Sequence, residues 1–371
     1  MIEPKTEAEL AEALKSANGP LRISGGGTRD YGRPVQGEVI STSKLSGITL
    51  YEPGALTIVA QAGTPVSEIE AELAKNNQRL AFEPMDHRAI LGQEGSPTIG
   101  GVIAANVSGP RRISVGAARD FLLGVRFVDG EGKIIKNGGR VMKNVTGYDL
   151  VKLMAGSFGT LGILTEVSLK VMPADETAAT LILNGLDVEQ AVAAMSSALG
   201  SPYDVTGAAH IPASGHTVVR IEGFEKSVAY RTEKLTQHLS AIGTAEIISG
   251  DAHDLLWQDV RDAKALSGAE GDIWRVSVKP SDGPAVIQAV NPTSYLMDWG
   301  GGLIWMETPS GTDVRALIPD IAGHSTLIKA SPAIRSEIAT FQPEPKPLAL
   351  ISNELRSKFD PRGILNPGLM S

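Results

Sequence analysis

The sequence predicts an α+β protein made of two units and a closing return segment. Three observations predict it. The chain has 371 residues, more than one core organises at roughly 100–200 residues per domain. Glycine occurs 24 times in residues 1–173 and 17 times in the remaining 198, so the texture changes at Pro173. Short strand-like and helix-like patterns interleave along the whole chain. The boundaries read as 1–173, 174–340 and 341–371.

The elements follow in order. Residues 5–18 have Leu10 and Leu14 four apart, then Asn18-Gly19 as a stop signal, and predict a helix. Leu21-Arg22-Ile23 is a short strand that runs into Ser24-Gly25-Gly26-Gly27-Thr28-Arg29. Residues 56–62 predict a strand, and 65–75 a helix with Pro65 in its first turn. Residues 125–129 and 133–135 flank Gly130-Glu131-Gly132 as a hairpin. Residues 162–172 alternate like a half-buried strand and stop at Pro173.

Beyond Pro173, strands at 180–183 and 218–222 and helices at 188–199 and 228–241 are followed by a second set at 273–278, 284–289, 294–298 and 303–307. The order suggests paired βαβ modules. All four tryptophans, Trp257, Trp274, Trp299 and Trp305, lie here, and core or interface anchoring is their commonest use. Pro343, Pro345 and Pro347 predict a stiff linker. Residues 348–358 predict a helix with Leu348, Ile351 and Leu355 on one apolar face.

Composition narrows the function. Hydrophobic residues make up 42% and charged residues 20%, as in a globular protein. A net charge of -8 argues against nucleic acid or anionic lipid as a general partner. With no cysteine, the chain builds no disulfide, thiolate nucleophile or iron–sulfur cluster. The opening MIEPKTEAEL lacks the apolar stretch of a secretory signal, and no run of 18 apolar residues predicts a membrane span. The expected location is the cytoplasm, with membrane association only through partner subunits.

Three glycine-rich blocks carry the chemistry. Gly25-Gly26-Gly27 lets backbone amides converge on a diphosphate, with Thr28 adding a hydroxyl and Arg29 a countercharge; a flexible turn is an equal reading. Asp30 stands where a dinucleotide fingerprint needs its third glycine, and Gly132-Lys133 is followed by Ile134, so neither a Rossmann nor a Walker pattern is present. Ser96-Pro97-Thr98-Ile99-Gly100-Gly101 runs on through Ala104-Ala105-Asn106 to Ser108-Gly109. It suits either a planar ligand on bare backbone or close helix packing through Gly100 and Ala104. The third block is Lys143-Asn144-Val145-Thr146-Gly147-Tyr148-Asp149 with Gly156-Ser157-Phe158-Gly159-Thr160-Leu161-Gly162-Ile163. Ser157 is not in a Gly-x-Ser-x-Gly elbow, which argues against a serine hydrolase. Asp251-His253-Asp254 reads as a helix start more readily than as a metal site, and no metal is expected.

Together with Asn366-Pro367-Gly368, these blocks resemble the FAD-linked oxidases of the vanillyl-alcohol-oxidase, or PCMH-type, family across 1–173 and again at 359–370. Val115-Gly116-Ala117-Ala118-Arg119-Asp120-Phe121-Leu122-Leu123-Gly124 and residues 143–149 are similar to the FAD-binding subunits of bacterial glycolate oxidases. The resemblance implies a PCMH-type FAD-binding domain, a smaller inserted α+β, ferredoxin-like cap and a C-terminal return. It implies that Ser24, Gly25, Gly26, Gly27, Thr28 and Arg29 hold the FAD diphosphate. Pro97, Thr98, Gly100, Gly101 and Asn106 would lie beside the flavin and its chain, Gly116, Gly159 and Ile163 on the cofactor, and Asn366 at the flavin edge. It also implies oxidation of glycolate to glyoxylate, with a larger catalytic flavoprotein subunit and an iron–sulfur subunit as partners. The alternatives are a self-sufficient flavin oxidoreductase for another small substrate and a scaffold that has lost FAD.

The departures from the family are informative. Some relatives tether flavin through a loop histidine or a cysteine; Thr28 and the absence of cysteine imply non-covalent FAD. The histidine-rich metal block of catalytic relatives acting on 2-hydroxy acids is missing. Leu369 follows Gly368 where a base is frequent. No catalytic residue is assigned. Arg220, Arg275 or Lys279 could supply a cation and His210 or His216 a base.

Overall fold

The computed structural model describes residues 1–140 and 147–370. The expected Lys143 to Thr146 part of the third block lies outside the described residues. Helix α1, Glu7–Ser16, starts where Thr6 Oγ1 accepts from Glu9 N at 3.1 Å and buries Leu10 and Leu14, the two residues whose spacing predicts it. Strands β1 (Leu21–Ser24) and β2 (Glu38–Ser41) pair in parallel. A five-stranded sheet follows, built from β3 (Ile48–Glu52), β4 (Thr57–Gln61), β5 (Leu122–Val128), β6 (Ile134–Gly138) and β7 (Ile163–Lys170). Its order is β3-β4-β7-β5-β6. Gly132, at φ 78, turns the β5–β6 hairpin, and Asp129 Oδ1 accepts from Glu131 N and Lys133 N at 2.9 Å. Helix α2, Val66–Ala74, begins one residue after Pro65, which occupies the cap. Helix α3, Ile99–Ala104, packs on β4: a Cβ on Gly100 would stand 2.6 Å from the Ala62 Cβ.

The second half is one eight-stranded antiparallel sheet. Its strands are β8 (Thr177–Asn184), β9 (Val205–Ile211), β10 (His216–Gly223), β11 (Ala245–Ser249), β12 (Asp272–Val278), β13 (Ser294–Asp298), β14 (Leu303–Thr308) and β15 (Gly323–Lys329). The order is β11-β8-β10-β9-β13-β14-β12-β15. It contains two ferredoxin-like β-α-β-β-α-β modules, each with its first and third strands at the centre. Helices α4 (Val188–Leu199) and α5 (Glu225–Leu239) serve the first module. Helix α6, Asp251–Arg261, links the two, and α7, Gly283–Val290, serves the second. The modules meet edge to edge where His210 of β9 opposes Met297 of β13. The paired modules suggested by the sequence are present.

Strand alternation divides the cap sheet between two cores. Trp274, Val276, Ile304, Met306 and Leu327 face its helices. Ile273, Leu303, Trp305 and Ile328 face the other way and join Phe82, Ile103, Phe127 and Val167 in the core of the first half. One face of the cap therefore lies on the glycine-rich half.

Helix α8, Lys346–Phe359, covers the expected residues 348–358. It buries no residue fully; Leu348, Leu350 and Ile351 are exposed. The apolar pattern is there, but among the described residues nothing covers it. Only its end docks, with Phe359 on Phe127 at 6.1 Å between ring centres. The chain then returns beside β1, where Leu365 bridges Leu21.

Candidate functional site

β1 ends at Ser24, and the glycine loop lines an open cleft. The loop is held from behind by backbone. A Cβ on Gly26 would overlap the Ser96 carbonyl oxygen, and one on Gly95, at φ 98, would overlap the Gly26 carbonyl oxygen. A Cβ on Gly25 would stand 2.6 Å from Thr98 Oγ1. Gly27, at φ 73, has nothing within 4 Å. The sequence attributes the bare positions to ligand approach; at Gly26 the reason is instead a second loop 70 positions away. Among the described residues the amides of Gly25, Gly26, Gly27 and Thr28 donate to no protein group. Such donors need an acceptor from elsewhere.

The structure gathers most of the expected residues in this cleft. Ser24, Gly25, Gly26, Gly27, Thr28, Arg29, Thr98, Gly100, Gly101, Gly159, Ile163 and Asn366 line it. Thr98 caps α3 by accepting from Gly101 N at 3.3 Å, and a Cβ on Gly101 would come within 3.3 Å of Arg29 Nη1. Asn366, buried and at φ 43, joins two walls. Its Oδ1 accepts from Ile23 N and its Nδ2 donates to Phe158 O, both at 2.8 Å. Leu369 packs where Gly32 leaves room, and its carbonyl accepts from Arg33 N at 3.1 Å.

Three expected residues are not brought to the lining. Pro97 holds Val66 N through its carbonyl at 2.8 Å. Asn106, at φ 49, accepts from Arg119 N at 3.0 Å. Gly116 makes a turn at φ 96 beside Asp120. Their small or turn-forming character serves local geometry.

Sequence reasoning missed the aromatic wall. Tyr31 and Phe158 line the cleft. Tyr31 stacks on buried His87 at 5.8 Å and meets Phe158 edge-on at 5.8 Å. Tyr31 is two residues beyond Arg29, so a longer view of the loop motif would have included it; His87 has no comparable signal. Arg29 donates from Nη2 to Met85 O at 3.1 Å and from Nε to His87 Nδ1 at 3.3 Å. Among the described residues it has no carboxylate partner. Burial lowers its pKa and raises that of Tyr31. Burial, then the Arg29 charge, holds His87 well below the usual imidazole range, so His87 is neutral at pH 7.

The cation and base candidates separate clearly. Arg220, 1% exposed, is committed to Glu83 at 3.0 Å and Glu222 at 3.3 Å, which removes it as a substrate cation. Lys279 is exposed and pairs with Asp282 at 3.5 Å. His210 is buried against Thr217, with Nδ1 to Oγ1 at 3.0 Å, and neither it nor His216 lines the cleft. Arg275 alone of the three cations stands beside the aromatic wall, over Trp299 at 5.1 Å and Trp305 at 5.9 Å. Asp251 and Asp254 occupy the first turn of α6, as the helix-start reading expects.

Comparison with known proteins places this geometry. Residues 1–138 match the FAD binding domain family. The chain is 34% identical over 354 residues to glycolate oxidase subunit GlcE of Escherichia coli, covering 95% of this chain and 92% of that protein. It is 31% identical over 220 residues to glycolate oxidase subunit GlcD of Bacillus subtilis, covering 58% of this chain but 44% of that protein. Its fold matches that of a 4-ethylphenol oxidase from Gulosibacter chungangensis with a TM-score of 0.74 at 13% identity, over 100% of this chain and 88% of that one. The residues present fit FAD: unclaimed amides and the guanidinium of Arg29, which has no carboxylate partner among the described residues, suit a diphosphate, and Gly101, Ala104, Ala105 and Gly159 leave room for a flat ring system. The chain belongs to the GlcE family of FAD-binding, FAD-linked oxidoreductases.

Proposed function

We propose that this chain is the FAD-carrying accessory subunit of a glycolate-oxidising complex, which converts glycolate to glyoxylate. The observation that carries the reading is the glycine-loop cleft, with its unclaimed amides, in a chain similar to GlcE over nearly its whole length. Bound FAD supplies two-electron redox chemistry, and the protein positions and tunes it. Gly25, Gly26, Gly27 and Thr28 amides hold the diphosphate, with Arg29 as countercharge. Asn366 fixes the wall at Phe158 and β1. Ser24, Thr98, Gly100, Gly101, Gly159 and Ile163 shape the remaining surface.

The expected companions are a larger catalytic flavoprotein subunit and an iron–sulfur subunit. The cluster resides in a partner, since this chain has no cysteine. Among the described residues no helix is long and apolar enough to cross a membrane, and a cytoplasmic chain that reaches the membrane only through partners is consistent with that. Affinity purification of the tagged chain from its native source, with subunit identification, tests the reading. Recovery of a second flavoprotein and an iron–sulfur protein is expected. A chain that purifies alone and oxidises glycolate with an artificial acceptor as fast as the native extract overturns it in favour of a self-sufficient enzyme.

A further inference from the structure

Arg275 is a charge that the protein leaves unpaired. It sits on β12, on the cap face that packs against the glycine-rich half, opposite Trp305 of β14 and Thr326 of β15. As a whole residue Arg275 is half-buried, burial of its charged end is the main cause pulling its pKa down to about 10, and among the described residues it has no hydrogen bond or ion pair. Its near neighbours are rings: Trp299 at 5.1 Å and Trp305 at 5.9 Å. Arg112, from the other half, lies over the same Trp299 ring at 4.6 Å. Two guanidinium groups from two parts of the chain thus share one indole. The acid nearby, Asp298, attracts Arg275 through space but forms no ion pair with it; its Oδ1 accepts from Trp299 N at 2.7 Å. The molecule pairs its other deep arginines at this seam: Arg220 and Arg111 both have carboxylates.

Desolvating a cation without a partner is costly, and two like charges near one another add to the cost. A structural role does not explain the arrangement, because an apolar residue of similar length would fill the site at less expense. A bound anion does explain it. The position is also suitable. Trp305 meets His87 edge-on at 6.2 Å, and His87 stacks on Tyr31, a wall residue of the flavin cleft. The unpaired arginines therefore lie one aromatic layer from that cleft.

We propose that Arg275, seconded by Arg112, is a receptor for the carboxylate of a small organic acid entering the seam between the cap and the glycine-rich half. The proposal deepens the functional reading above and rests on it for the class of acid, a 2-hydroxy acid. Arg275 supplies the planar two-pronged contact that a carboxylate accepts. Trp299 and Trp305 meet the guanidinium with ring faces, at 5.1 and 5.9 Å, which supply no acceptor for its N–H groups; the anion would supply it.

The test is calorimetric titration of the full-length, FAD-loaded chain with oxalate, a two-carboxylate probe with no hydroxyl group to oxidise. Glycolamide, the neutral isostere of glycolate, is the control. Oxalate is expected to bind and glycolamide to bind about ten- to hundredfold more weakly. Arg275→Met should lose oxalate affinity by a similar factor while keeping its FAD content, and should melt no lower than the wild type, because it removes an uncompensated charge. Arg275→Lys keeps the charge and loses the fork, and should fall between them. Oxalate binding to Arg275→Met as tight as to wild type, or equal binding of oxalate and glycolamide by the wild type, overturns the proposal. Oxalate binding through Arg275 in a chain that purifies without partners would leave the receptor standing and remove the accessory-subunit reading. FAD loading and partner capture with no oxalate binding would do the reverse.

Discussion

Arg220 grips both oxygens of Glu83, Nη1 on Oε1 and Nη2 on Oε2, each at 3.0 Å and across 137 positions of sequence. Glu222, on the same strand as Arg220, accepts from Arg111 Nε at 2.8 Å, and Arg79 binds Glu222 and Asp175. The cap is fastened to the glycine-rich half by this ionic knot. Arg220 also lies over Trp257 at 4.3 Å.

Glu83→Ala should destabilise the protein by about 3–5 kcal/mol, because it leaves Arg220 and Arg111 to share the single buried carboxylate of Glu222. The knot also sets an acid limit. The arginines hold Glu83 and Glu222 below the ordinary value of 4.5 despite burial. Depressed carboxylates stabilise the fold above their unfolded pKa and lose that contribution as pH falls through the folded one. Denaturant melts should therefore show stability dropping below about pH 4.5, with a shallower drop in Glu83→Ala. Equal slopes would contradict the assignment.

Asp298 has the opposite sign. Burial pushes its carboxyl up to about 7 from the ordinary 3.8. A raised acid binds its proton more tightly in the folded state, so its effect on stability is least adverse below pH 3.8 and worsens as pH rises to 7. Asp298→Asn retains an acceptor for Trp299 N and removes the titration. It should match the wild type near pH 4 and exceed it at pH 8, by a few kcal/mol at most. A variant less stable than wild type at pH 8 would refute this.

Gly26 and Gly27 adjoin in sequence and should respond differently. Gly26→Ala pushes a methyl into the Ser96 carbonyl, so both melting temperature and FAD content should fall. Gly27→Ala meets open space and bears only the left-handed backbone penalty of about 1–2 kcal/mol. Scanning fluorimetry with released-flavin quantification separates the two. A larger loss of stability at Gly27 would invert the reading of the loop.

FAD should be held without a covalent bond. The chain has no cysteine, Thr28 stands in the loop, and His87, stacked on the wall residue Tyr31, uses Nδ1 to accept from Arg29. Acid precipitation should leave the yellow colour in the supernatant. Flavin carried down with the pellet would show a tether.

Local demands were legible in the sequence, and distant partners were not. A strand running into glycines, the Gly132 turn and the Leu10–Leu14 spacing each announce themselves within a few residues. Asn366 was found through a motif, although the two bonds that explain it reach Ile23 and Phe158 far upstream. Gly26 was given to the ligand because Ser96, its actual neighbour, is 70 positions on. Arg220 and Arg275 look alike in sequence; one has Glu83 and the other has only rings, and no spacing rule carries that difference. The α8 stripe was read as one apolar face; that the face is exposed lay beyond the reading, since periodicity reports a face without reporting what lies opposite it.

The bond from Ile23 N to the Asn366 side chain spans 343 positions, and it gives flavin capture a place in time. On a ribosome, β1 and the glycine loop emerge early, and every cap strand is made before Asn366 follows. Until then, the wall between Phe158 and β1 lacks its clasp and Ile23 N lacks its acceptor. Contacts of such long separation carry a large loop-closure cost until the intervening chain has condensed. The cofactor pocket is therefore finished after translation of the cap, and firm retention of flavin marks a polypeptide synthesised at least through residue 366.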